Sequence, residues 1–125
     1  MLDSIFLTKA KRNIQAAQLL FDHQMYDESA NRAYYAAFQA ALAALAVLGI
    51  HVEGMSHEAA QSTFNTELIH RRKVYPGRFK SYLPELQTIR IQADYSLKIT
   101  SKKSAADQVK QAKEFVEHIE QEKRI

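Results

Sequence analysis

The chain has 125 residues, 46% of them hydrophobic, with only three Gly and two Pro. That is enough to bury one core, and its Ala, Leu, Gln, Glu and Lys favour helix throughout. It has no cysteine, which excludes disulfides and Cys-based zinc sites and fits a reducing, cytoplasmic setting. The net charge of +3 is uneven: residues 1–62 carry four Lys/Arg against six Asp/Glu, residues 63–125 thirteen against eight. A mildly basic half suits an anionic partner.

The opening MLDSIFLTKAKRN places its charges after its apolar residues, the reverse of a secretory signal peptide. The first helix is expected from about Asp3 to Asp22. Phe6, Ala10, Ile14, Ala17 and Phe21 form its apolar stripe at helical spacing. The turn from His23 to Asp27 holds no Gly or Pro and must be short.

A second helix is expected from about Asp27 to Leu48, with Asp27 as N-cap and Gly49 just past its end. From Ala33 to Leu48 only Gln39 is polar, and eight of these sixteen residues are Ala. A helix apolar all round is either the centre of a bundle or a membrane span. So many alanines are weakly hydrophobic for lipid and no second such segment follows, so the buried central helix is the reading taken. No membrane association is expected.

Ile50 to Met55 reads as a loop, and Ser56 as the N-cap of a third helix over His57–Arg71. Pro76-Gly77 marks the next break. A fourth helix is expected over Leu83–Ile99, with Pro84 in its first turn and Leu86, Ile89, Ala93 and Leu97 as its core stripe. Thr100 and Ser101 end it. Ser104-Ala105-Ala106-Asp107 resembles a capping box that opens a fifth helix, which runs to about Glu122. No stretch alternates like a strand. The expected fold is all-α, an up-and-down antiparallel bundle of four to five helices, one domain over residues 1–125.

Three constellations carry chemistry. In RIQADY, Arg90 and Asp94 are four apart and share a helix face, with Tyr95 next to them. They read either as a helix salt bridge or as an Arg held ready for a phosphate. In NRAYYAAFQAAL, Arg32 and Tyr35 are three apart, and Asn31 and Tyr34 share the neighbouring face. They are either the polar rim of a buried helix or a platform for a base and its phosphate. In HRRKVYPGRFK, Arg71, Arg72, Lys73, Arg78 and Lys80 interleave with Tyr75 and Phe79, and no acid lies between Glu67 and Glu85. That is either a solvated loop or a surface for a nucleic-acid backbone.

The five histidines form no set with carboxylates at metal-ligand spacing, so no metal and no cofactor is expected. His57, just after Ser56 at a helix start, is the one histidine suited to an acid/base role. There is no phosphate-binding Gly loop, no Ser-His-Asp pattern and no HExxH.

AAQLLFDHQMYDESANRAYYAAFQAALAALAVLGI, SHEAAQSTF, RIQADY and the closing QAKEFVEHI together resemble the HEPN domain, in the branch of small stand-alone prokaryotic HEPN proteins. The resemblance runs from about Ala16 to Ile119. It implies a helical bundle that forms a homodimer. Many members are metal-independent RNA endonucleases. Others are toxins encoded beside a minimal nucleotidyltransferase antitoxin. Active members carry Arg, four to six residues, then His, and two copies of this motif meet across the dimer in an RNA cleft. In the nucleotidyltransferase-paired subset the motif is Arg-x4-His-x-Tyr, and the partner can adenylylate the Tyr.

By that resemblance Arg90 is the motif Arg, and Asn31, Arg32, Asp94 and Tyr95 line the cleft. Five positions after Arg90 stands Tyr95, not His, and no other Arg is followed by His at five to seven residues. RNA cleavage needs a group to take the 2′-OH proton. Arg cannot supply it at neutral pH. Two expectations follow. In one, the protein is a toxin-like RNA endonuclease in which His57 or another group replaces the motif His. In the other, it is an inactive module that binds RNA, a nucleotide or a nucleotidyltransferase. Tyr95 is a modification site by the same analogy.

Overall fold

The computed structural model describes residues 2–122, all helix and loop, with no strand among the described residues. Helices α1 (Leu2–Asp22) and α2 (Tyr26–Val47) form an antiparallel hairpin. Helix α3 (His57–Phe64) continues into a π-helical segment, Asn65–Arg71. A short 3₁₀ turn, Gly77–Ser81, leads into α4 (Tyr82–Tyr95), and α5 spans Lys102–Gln121. Asn31 near the start of α2 meets Asp94 near the end of α4, and Tyr82 at the start of α4 meets Glu114 late in α5. So α1 and α4 run one way and α2 and α5 the other. The expected antiparallel bundle is what forms.

The alanine run explains why α2 is the centre. It packs against α1, α3, α4 and α5. Ala30, Ala33, Ala36, Ala37, Ala40 and Ala41 are fully buried. Methyl groups let neighbouring helices come close without leaving voids. The α1 stripe is as expected: Ala10 and Ala17 are fully buried, and Phe6, Ile14 and Phe21 pack against the core from its edge. The aromatic centre of the other half comprises Phe64, Phe79 and Phe115, whose rings lie 5.1 to 5.2 Å from one another where they pair with Phe115.

Both ends of the hairpin close with the same device. Gly49 takes φ 81 just after α2, and the backbone N–H of Ile50 donates to Leu45 O at 3.3 Å. This is the helix stop expected at Gly49. After α1, Gln24 takes φ 64 and the N–H of Met25 donates to Leu20 O at 2.8 Å. The turn is short without glycine because Gln24 accepts a left-handed backbone, which costs a side-chain-bearing residue energy.

Three sequence expectations are corrected. Asp27 is not the N-cap of α2. The helix starts one residue earlier, behind Met25, and the Asp27 carboxylate instead accepts from the Thr100 N–H and hydroxyl. Helix α4 stops at Tyr95, not Ile99. Ser96 swings to an extended backbone and its Oγ accepts from the Lys98 N–H at 3.1 Å, a local bond that competes with the helix. Leu97 therefore leaves the expected core stripe, and it and Ile99, the expected last residue of the helix, stand in solvent, 104% and 78% exposed. Finally, Ser101 rather than Ser104 opens α5. Its extended backbone lets its Oγ accept from the Ser104 N–H at 3.1 Å, while Asp107 pairs with Lys103.

Among the described residues no helix is long and apolar enough to cross a membrane.

Candidate functional site

The antiparallel course of α2 and α4 brings the first turns of one against the last turns of the other. Arg90 and Asp94 on α4 form an ion pair at 3.2 Å, with side chains only 12% and 27% exposed. Asn31 on α2 donates from Nδ2 to both Asp94 oxygens at 3.2 Å. Its Oδ1 accepts from Arg32, at 2.9 Å from Nε and 2.6 Å from Nη2. Arg32 Nη1 donates to Asn13 on α1, and Asn13 donates to Gln39. One polar chain thus runs from Gln39 through Asn13, Arg32, Asn31 and Asp94 to Arg90.

The two arginines also lie on aromatic faces. The Arg32 guanidinium is 5.1 Å from the Tyr35 ring centroid. That of Arg90 is 5.4 Å from Tyr34 and 5.6 Å from Tyr35. Cation–π contact of this kind is worth most where water is excluded. Arg90 Nε is buried and makes no hydrogen bond, so the cation retains unspent donor capacity.

His57 joins this cluster from the first position of α3. Its Nδ1 hydrogen-bonds the hydroxyl of Tyr34. Its ring stacks on Phe38 at 4.5 Å and on Tyr34 at 5.5 Å. Burial holds its pKa below the usual histidine value, and the Arg90 charge pushes the same way, against a smaller opposing effect of Glu58. The imidazole is therefore neutral at pH 7. Burial raises the Tyr34 hydroxyl to about 12, so that hydroxyl keeps its proton.

Beside Asn31 and Asp94 lies a surface groove of about 440 Å³, lined also by Leu20, Asp27, Glu28, Arg32 and Ala93. Its lining mixes acids and an arginine rather than being uniformly basic. Tyr95, at the end of α4, is 78% exposed. It lies about 140° around the helix from Arg90 at ~100° per residue, so it is outside the Arg90 cluster.

The basic run is not part of this cluster. It enters α4 at its first residue, and about 12 Å of helix rise separates Tyr82 from Arg90. Its aromatics are not a stacking surface, because Tyr75 and Phe79 are buried, Tyr75 stacked on Phe64 and Phe79 against Phe115. Arg71 pairs with Glu67 at 3.2 Å, and Arg78 with Glu114 at 3.6 Å. The segment holds no acid of its own, but α5 delivers Glu114 to it. Arg72, Lys73 and Lys80 are exposed.

Sequence reasoning paired Asn31 with Arg32 and Arg90 with Asp94, and the structure joins the two pairs. It set Tyr34 beside Asn31 on one helix face without its His57 partner, and it missed Asn13. A tyrosine in an apolar run signals a hydroxyl in need of a buried partner, and an asparagine beside Ile14 interrupts the α1 stripe on the side that faces α2. Among the described residues no three His, Asp or Glu side chains gather closely enough to hold a metal ion.

Comparison with known proteins identifies the family. The family model of the HEPN domain matches residues 4–122. The UPF0332 protein glr0978 of Gloeobacter violaceus is 32% identical over 89 residues, which cover 71% of this chain and 68% of that protein. The matched span includes almost all of the described bundle, with every helix that builds the Arg90 cluster, and the chain belongs to the HEPN domain family.

Proposed function

We propose that this HEPN protein acts on RNA in the cytoplasm as the toxin-like half of a toxin–antitoxin pair, through the cleft formed by Asn31, Arg32, Arg90 and Asp94. The observation that carries the reading is the state of Arg90. It is a largely buried cation, oriented by Asp94, seated on two tyrosine rings, with an Nε donor that nothing satisfies. Such a group, fixed in a site that excludes water, stabilises the extra negative charge of a phosphorane far better than an exposed arginine would. Cleavage then needs no metal. The 2′-oxygen attacks phosphorus, the P–O5′ bond breaks, and the products are a 2′,3′-cyclic phosphate and a 5′-hydroxyl.

The test is incubation of the purified protein with tRNA and total RNA in chelator, beside Arg90→Ala. Cleavage by the wild type that the variant loses supports the reading. Equal activity of the two overturns it.

A specific observation favours a second reading, a module that binds a partner. Ile91 and Tyr95 in the last turns of α4, with Leu97 and Ile99 just past it, form an exposed apolar row, 43% to 104% exposed. Rows of this kind mark interfaces. A second copy of the chain, or a minimal nucleotidyltransferase, would cover this row. Sedimentation of the protein alone, then gel filtration after co-expression with the nucleotidyltransferase, separates the two. Leu97→Glu should dissociate whichever complex uses the row.

A further inference from the structure

The groove beside Asn31 and Asp94 holds one carboxylate that is left without a partner among the described residues. Asp27 is held by Thr100, and Asp94 by Asn31 and Arg90. Glu28 lines the same groove, exposed, with no hydrogen bond or ion pair from its side chain. The expected partner of Glu28 is Arg32, one turn on and in the favourable order for a helix pair. Arg32 turns elsewhere and donates to Asn31 and Asn13. Resting on the RNA reading above, we propose that Glu28 is a specificity-determining residue and that this groove takes a guanine base of single-stranded RNA.

Charge keeps a phosphate out of the groove itself. The carboxylates of Asp27, Glu28 and Asp94 line it against the single guanidinium of Arg32, and they repel an anion. What they attract is a group rich in N–H donors. An unstacked RNA base offers such a group on its Watson–Crick edge. The four bases differ there. Uracil sets its ring N–H between two carbonyl oxygens. Adenine and cytosine set an amino group beside a bare ring nitrogen. Guanine alone places two donors side by side, N1–H and the N2 amino group, and these match the two oxygens of one carboxylate. Its O6, next to N1, then needs a donor, and Arg32 supplies it. Three of the five Arg32 N–H groups are spent on Asn31 and Asn13, and two remain.

Position and size fit the same occupant. Glu28 and Arg32 stand four residues apart on α2, so their side chains leave one helix face. The bonds to Asn31 and Asn13 and the Tyr35 ring at 5.1 Å fix the plane of Arg32 and with it the direction of its remaining donors. Leu20 from α1 and Ala93 from α4 add apolar surface for the faces of the base. The volume of about 440 Å³ lies within the range of small-molecule clefts. Asp94 belongs both to this lining and to the ion pair with Arg90 at 3.2 Å. A guanine read by Glu28 is therefore a neighbour of the phosphate held at Arg90.

The experiment measures binding of the full chain, by fluorescence anisotropy, to short single-stranded oligouridines. Each carries a central guanosine, adenosine, cytidine or inosine, the last lacking only the N2 amino group of guanine. The guanosine RNA should bind about 10- to 100-fold more tightly than the adenosine and cytidine RNAs, with inosine between. Glu28→Gln puts an N–H where the site needs an oxygen, and should remove this preference. The same variant should bind the all-uridine RNA more tightly, because a negative charge is gone. These opposite signs separate a lost contact from a misfolded protein. Equal binding of all the RNAs by the wild type overturns the proposal and leaves the RNA reading standing. So does a guanosine preference that Glu28→Gln retains. Guanosine monophosphate should compete far more weakly than the guanosine RNA; equal competition assigns the groove to a free nucleotide and overturns the RNA site. Absence of binding to every RNA overturns this proposal and the RNA reading together.

Discussion

The carboxylate of Asp27 holds Thr100, 73 residues away in sequence, by two bonds: the backbone N–H at 2.8 Å and the hydroxyl at 2.6 Å. Two bonds to one ionised acceptor tie the α4–α5 connection to the start of α2. Asp27→Ala should lower stability by about 1–3 kcal/mol. Urea denaturation measures the loss, and faster hydrogen exchange at the Thr100 amide locates it.

Gln24 and Gly49 occupy equivalent positions past the ends of α1 and α2, both with positive φ. Only glycine does so without cost. Gln24→Gly should stabilise the protein by about 1 kcal/mol, and Gly49→Ala should destabilise it by about as much. Opposite shifts of the thermal midpoint are the expected result.

The start of α5 gives a discriminating pair. Ser101→Ala removes the oxygen that caps the Ser104 N–H and should cost about 1 kcal/mol. Ser104→Ala removes a hydroxyl that caps nothing, and should stay within about 0.5 kcal/mol of the wild type. Equal losses in the two variants would contradict the helix start at Lys102.

An exposed i,i+4 ion pair is worth about 0–1 kcal/mol. Arg90 and Asp94 are largely shielded and Asp94 is shared with Asn31. Arg90→Ala should therefore cost about 1–3 kcal/mol, and Arg90→Lys should keep the charge but lose the planar fit to the tyrosine rings. Chemical denaturation of both variants checks this independently of any activity.

His57 makes stability depend on pH. Its pKa is lower in the folded protein than the ordinary 6.5. As pH falls through that ordinary value, the unfolded chain binds the proton first, so stability declines until the folded-state pKa is passed. Denaturation at about pH 7.5 and about pH 5.5 should show this loss in the wild type and less of it in His57→Gln.

How much of this was legible in the sequence depends on the range of the forces involved. Helix α2 was plain, because the alanine run and Gly49 are local signals. The end of α4 was not. Leu97 continues the 3.6-residue stripe perfectly, and no Gly or Pro marks the stop. What ends the helix is Ser96, with the connection then tied down by Asp27 from the far end of the chain. The basic run was legible as charge, but its compensation by Glu114 required the α4–α5 pairing. The site behaved the same way. Each polar pair was visible on its own helix, whereas their union through Asn31 and Asp94 depended on topology. Tyr34 was visible beside Asn31, but its hydroxyl's bond to His57 was not, because it joins α2 to α3.

The methyl-lined interior of α2 makes the bundle's tolerance to change lopsided. Where the Phe64, Phe79 and Phe115 half of the core can fail by losing volume, the alanine face of α2 has little volume to lose. An Ala40→Gly change sheds a single methyl group and costs mainly helix propensity, about 1 kcal/mol. Ala40→Leu has no space to enter and must force the neighbouring helices apart. The alanine positions of this helix therefore accept only small residues, which keeps the spacing of the surrounding helices, and with it the approach of Asn31 to Asp94, set.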